Sequence, residues 1–316
     1  MSKFVISLDF ELFWGVADGR TVSNYGGNVR GERQAIPRML DLFTRYGIRA
    51  TWATVGMVMC ADYAQWRSLR PDIAPGYDRT ACSPYLLDET VRAHPELFFA
   101  RDLVKLVRDT DGQEVATHTY SHFYCDEPGA TPQQFLSDMR CAKDIGAGLG
   151  LTLTSLVFPR NQILPAYVAV LSEAGVSAYR SNPDHALYRR GNAAPCGLAG
   201  RAVRLADSWL PLSGALTAHG TVGQDGVTAL PASMFLRPYA SALAPFEALR
   251  LHRIKAAMSD AAKAGGDFHL WWHPHNFGAD TSRNLAVLEA VLQHYQALQQ
   301  QYGMQTASMA ECAAAA

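Results

Sequence analysis

EVATHTYSH, residues 114–122, sets two histidines four apart immediately behind a run that reads as a short strand. One helical turn, or a tight loop, brings His118 and His122 to a single point, as the metal sites of zinc hydrolases require. Neutral histidines in a loop can equally be satisfied by nearby carbonyls, so the spacing alone leaves both readings open. A metalloprotease needs Glu directly after the first His, and Thr119 stands there instead. A protease is excluded on that ground.

On either side, short β-rich runs alternate with longer amphipathic ones. FVISL (4–8), RATWAT (49–54), EVATH (114–118), SLVF (155–158), VSAYR (176–180) and FHLWW (268–272) are the expected strands. Strand, helix, strand is the rhythm of parallel α/β folds. ERQAIPRMLDLFTRYG and LPAYVAVLSEAG are expected helices closing on Gly47 and Gly175. Thr131, Pro132 and Gln134 form the start of a third helix with a capping box. Two more helices are expected around 245–264 and 281–301. The closing AAAA is expected to fray.

Four of these strands are followed by polar residues. SLDFE ends in Asp9 and Glu11, two apart and therefore on one face of a strand. FPRNQ follows another, with Arg160 placed to hold a carboxylate. WWHPH puts His273 and His275 behind a strongly apolar strand. Each set alone has a bland reading as loop or surface residues, but converging strand ends are how a parallel barrel assembles a site.

The 316 residues, 48% hydrophobic and 18% charged, fit one α/β barrel with a sizeable core. A formal net charge of -1 offers no basic excess for a phosphate backbone, so nucleic acid is not an expected partner. The apolar run before Asp9 is too short for a secretory or membrane segment, and the expectation is a cytoplasmic protein with no transmembrane segment. Six scattered cysteines without a C-x-x-C pair suggest reduced thiols rather than a zinc ribbon. Irregular stretches near 60–100 and 181–236 break the rhythm and are expected to form the rim of the site.

With those residues in hand, the sequence resembles the NodB-type polysaccharide deacetylases. LDFE, HTYSH, FPRN and WWHPH stand in the order of that family's motifs, spanning residues 4 to about 280. HTYSH matches tightly. The first motif reads D-x-E instead of adjacent aspartates, and the third reads F-P-R-N-Q instead of R-x-P-Y, as in a divergent branch. The resemblance implies an irregular (β/α) barrel of about seven strands forming a single domain over 1–316. It also implies a divalent metal, zinc first, held by Glu11, His118 and His122, with Asp9 and Glu11 able to exchange roles. Asp9 would be the base, kept ionised by Arg160, and a protonated His273 the acid, with His275 as runner-up.

Trp14, Asn161 and His275 are the expected substrate contacts. Phe13, Trp209, Trp271 and Trp272 are further aromatic candidates, with Trp271 expected in the core. The substrate expected is an acylated amino sugar or sugar precursor of surface-polysaccharide assembly, such as the O-antigen of lipopolysaccharide. Competing readings are an amidase on another non-peptide C–N bond, a non-haem iron oxygenase, and a catalytically inactive saccharide-binding barrel. The oxygenase is disfavoured because its H-x-[DE] pairing is absent. The oligomeric state is not legible.

Overall fold

The computed structural model describes residues 1–188 and 198–315. Five parallel strands lie side by side in chain order: β1 (Lys3–Phe10), β2 (Ala50–Thr54), β3 (Gln113–Thr117), β4 (Ser155–Val157) and β5 (Ala178–Ser181). After them come β6 (Thr221–Val222), β7 (Thr228–Pro231), β8 (Met234–Phe235), β9 (Phe268–Trp272) and β10 (Gln305–Ala307). β7 pairs with β5, β8 with β9, and β9 with β1, all parallel.

β7 and β8 are successive halves of one stretch, and this closes the barrel. The Ala232 amide still donates to the Ser181 carbonyl of β5, while the next amide, Ser233, already donates to His269 of β9. Counting that stretch once, seven staves form the wall, as the family resemblance implies. β6 forms a small antiparallel hairpin with β7, and β10 pairs with the start of β1, both outside the ring.

Side chains alternate across the wall. On β1, Phe4, Ile6, Leu8 and Phe10 face the helices and join the large outer core with Trp52, Leu270 and Trp272. Val5 faces inward and meets Ala53, Ala116, Val157, Ala178 and Leu230, a narrow interior of mostly small residues. Met309 and Cys312 plug its lower end from a short C-terminal helix, so the AAAA tail is helical as far as Ala314. Continuing the inward parity upward gives Ser7, Asp9, Glu11, His118, Arg180, Trp271 and His273, all towards the carboxyl ends of the strands.

Helix α1 (Val22–Tyr46) starts ten residues before the expected Glu32. Thr21 and Asn24 cap it reciprocally, and Gly47 ends it at φ 62°. One of its glycines serves packing: a Cβ at Gly31 would fall 2.0 Å from the carbonyl oxygen of Gly278. The close approach seats α1 against the loop after β9. Next come α2 (Arg101–Arg108), then α3 (Pro132–Ala147) with the expected Thr131–Gln134 capping box, then α4 (Glu247–Ala264) and α5 (Thr281–Tyr302). The helix expected to close on Gly175 is α-helical only over Pro165–Val168. Beyond it, Val170 and Leu171 bond three residues back in tighter turns. The 60–100 region carries short helical turns. Of the 181–236 region, residues 189–197 lie outside the described residues. No helix among the described residues is long and apolar enough to cross a membrane.

Candidate active site

Asp9 and Glu11 end β1 on its inward face and are buried. Arg180, at the end of β5, holds Asp9 with both guanidinium nitrogens, at 2.7 and 2.8 Å, and is itself fully enclosed. The same fork donates to Ser7 Oγ and Asn161 Oδ1, each at 3.0 Å. Its plane lies 4.1 Å from the Trp271 ring centroid. A bidentate, charge-assisted pair fixes the carboxylate in direction as well as charge. Ser7 Oγ also lies 2.8 Å from His269 Nε2, extending the buried network below the site.

His118 follows β3, and its Nδ1 lies 2.7 Å from the Val157 carbonyl, which can only accept. The proton is thereby placed on Nδ1, leaving a lone pair on Nε2. That Nε2 is buried without a hydrogen-bond partner and points at Glu11 Oε2, 3.4 Å away. His122 Nε2 lies 3.1 Å from the same oxygen. The turn between the histidines needs left-handed backbone at Thr119 (φ 63°) and His122 (φ 57°). Asp138 of α3 pays for it by accepting from the Tyr120 amide at 2.6 Å and from both the amide and the hydroxyl of Ser121. Positive φ recurs at Leu12, Arg160 and Asn161, so strained backbone gathers at three strand ends of this one site.

After β9, His273 is half-buried, with Nε2 3.6 Å from Asp9 Oδ2 and 3.9 Å from Glu11 Oε1. His275 is buried behind Glu11, its Nε2 2.9 Å from Oε1 and its Nδ1 2.7 Å from the Tyr25 hydroxyl of α1. Burial and the nearby Glu11 and Glu32 carboxylates raise the Tyr25 pKa, so the phenol stays protonated and donates. His275 then donates to Glu11. This is a carboxylate oriented by a histidine that is itself oriented.

Burial by itself would raise both carboxyls. For Glu11, the surrounding histidines, His273 first and then His118, His122 and His275, overcome it and hold the pKa well below the ordinary value. For Asp9, Arg180, His118 and His273 do the same. Burial pushes the His273 pKa down to about 4 against the pull of Glu11 and Asp9.

Several expected placements are corrected. Arg160 does not reach Asp9: it pairs with Asp18 at 2.5 Å and lies over the Tyr124 ring, because positive φ at Arg160 turns its side chain away from the barrel axis. Arg180 occupies the expected place. Trp14 is no substrate contact; it is buried against Trp66 and Phe98, its indole N–H donating to the Phe98 carbonyl. His275 likewise faces Glu11 and not the cavity. Phe13 and Trp272 are core. Trp271, expected in the core, lines the cavity beside His273, as does Asn161.

Arg180, Tyr25 and Asp138 were missed. For Arg180 a signal existed, since VSAYR ends an expected strand in an arginine. Asp138 interrupts an apolar helix face. For Tyr25 no local signal exists.

The donor set suits a divalent metal. Glu11, His118 and His122 are all buried, with ligand atoms within 4.8 Å of one another, and Glu11, His273 and His275 make a second such group. The first group contains the orphaned His118 Nε2, a buried lone pair with no other use, whereas both His275 nitrogens are engaged. Two histidines and one carboxylate match catalytic zinc sites.

Residues 26–179 match the polysaccharide deacetylase family model. No curated protein matches the chain in sequence. Among solved structures, it is similar to a candidate polysaccharide deacetylase from Mycobacterium smegmatis, at 13% identity and TM-score 0.63, covering 99% of this chain and 89% of that one. It is also similar to one from Pseudomonas aeruginosa PAO1, at 16% identity and TM-score 0.56, covering 99% and 89%. An allantoinase matches at 12% identity and TM-score 0.59, covering 99% and 88%. At such identities the likeness is one of fold. The family match spans just under half of the chain, and it shows residues 26–179 to be similar to polysaccharide deacetylases.

Proposed function

We propose that the protein is a metal-dependent hydrolase that removes an N-acyl group, acetyl or formyl, from an amino sugar. The observation carrying this reading is the convergence of Glu11, His118 and His122 beside an Arg180-clamped Asp9 and His273. Glu11, His118 and His122 would hold the metal, zinc in the first instance. Once bound, such an ion acidifies water and polarises an acyl carbonyl.

The protein's own residues supply the rest. Asp9, kept ionised by Arg180, accepts the proton of the attacking water. His273, 3.6 Å from Asp9, takes that proton on from Asp9 and delivers it to the departing nitrogen, which cannot leave as an amide anion. Tyr25 and His275 keep Glu11 in position. Trp271 and Asn161, on the cavity wall, orient the sugar.

The test is release of acetate or formate from acylated amino sugars, those of surface-polysaccharide assembly first, by protein supplied with zinc or cobalt. Release that Asp9→Asn abolishes is the expected result. Sugar binding without acyl release would favour an inactive saccharide-binding barrel, and hydrolysis confined to non-sugar amides would favour an amidase.

A further inference from the structure

The cavity onto which His273 opens holds about 270 Å³. That is near the lower end of ligand pockets, about 300 Å³, and suits a small substrate better than several sugar units. Its wall is set by the closing stave. Phe235 pairs in register with Trp271, and the Leu236 amide donates to the Trp271 carbonyl. One step further along the same parity, Arg237 stands on the side of the sheet that carries Phe235, Trp271 and His273. Its guanidinium lies 5.7 Å from the Phe235 centroid, which is 5.7 Å from the His273 ring.

Among the described residues Arg237 has no counter-charge. Its Nε donates to Ser208 Oγ at 2.6 Å, but its terminal nitrogens make no hydrogen bond or ion pair with any described residue. The acidic side chain on the same wall, Asp207, is already used: it accepts from the Tyr188 hydroxyl at 2.6 Å and from the amide and hydroxyl of Ser213 at 2.8 and 2.7 Å. The nearby Arg250 is neutralised by Glu247, and it anchors the Arg237 carbonyl. A half-buried fork with two idle donors, held at the mouth of an active site, matches the planar geometry of a carboxylate or phosphate.

We propose that this cavity takes an acylated amino sugar bearing an anionic group, a phosphate or a carboxylate, which Arg237 grips beside His273. The proposal rests on the deacylase reading for the identity of the sugar, and on the cavity alone for the charge.

Calorimetric titration tests it with N-acetylglucosamine, N-acetylglucosamine 1-phosphate, glucuronate and inorganic phosphate as probes. Wild-type protein is expected to bind the sugar phosphate or the uronate about tenfold or more tightly than the neutral sugar, and whichever is preferred names the anion. Arg237→Met should erase that preference, and Arg237→Lys should keep part of it, since the charge remains and the fork is lost. Equal affinity for neutral and charged sugars, no binding of any charged probe, or a preference that survives Arg237→Met would each overturn the proposal. The wild-type comparison stands even if a variant fails to fold. Acyl release is scored separately: Arg237-dependent anion binding without release would sink the deacylase reading and leave the anion site. Release from neutral sugars with no anion preference would do the reverse.

Discussion

Arg180 and Asp9 form a fully enclosed bidentate pair at the centre of the site, at 2.7 and 2.8 Å. Removing one partner leaves an uncompensated buried charge, which costs more than the pair contributes. Arg180→Met should therefore lower unfolding free energy at neutral pH by about 3–5 kcal/mol, and the double variant with Asp9→Asn should recover part of that loss. Chemical denaturation of the four proteins of this cycle measures it.

Tyr25→Phe removes the donor that fixes His275 without touching the reacting groups. The stability cost should be small, about 1 kcal/mol. Metal affinity or turnover should fall about 10- to 100-fold, as is usual for partners of a ligand. Titration of metal into the variant, together with its melting curve, separates the two effects.

Asp138 carries a pH signature. Burial outweighs the donors from Ser121 and Tyr120 and pushes its pKa up to about 6 from 3.8. The native state then binds more protons than the unfolded state between those values, so stability falls as pH rises from about 4 through 6. The size is on the order of 3 kcal/mol. Asp138→Asn should lack this slope; an identical pH dependence of unfolding in the two proteins would refute it.

His273 is needed when the departing amine must be protonated. His273→Ala should slow release from a sugar N-acetyl group by about 10²- to 10⁴-fold, and should slow an activated aryl ester much less. Equal losses on both substrates would mean that His273 only shapes the pocket.

How far these features were legible in the sequence follows from their physics. FVISL, EVATH and FHLWW read as strands because both faces of a barrel stave are buried, giving dense apolar runs. The closing stave, residues 228–236, did not: it changes partners at Ala232 and Ser233 and carries Pro231, so no single period describes it. Asp9, Glu11, His118 and His273 stood out because each directly follows a strand or ends one, and His122 because it lies four residues after His118. Arg180 ended an expected strand and Arg160 closely followed one, and only backbone torsion at Arg160, invisible in composition, decided which one meets Asp9. Tyr25 reaches His275 across 250 residues, through the close contact of Gly31 and Gly278. Trp14 looked like a sugar platform because an aromatic beside a motif carries no sign of which way it faces.

The most direct test of the proposed chemistry is elemental analysis of protein purified without a metal-affinity tag, comparing wild type with the His118→Ala, His122→Ala double variant. Near-stoichiometric zinc or a similar divalent ion in the wild type, lost in a variant that still folds, is the expected result. A wild-type protein that holds no metal and acquires none when zinc or cobalt is added would contradict the assignment of Glu11, His118 and His122.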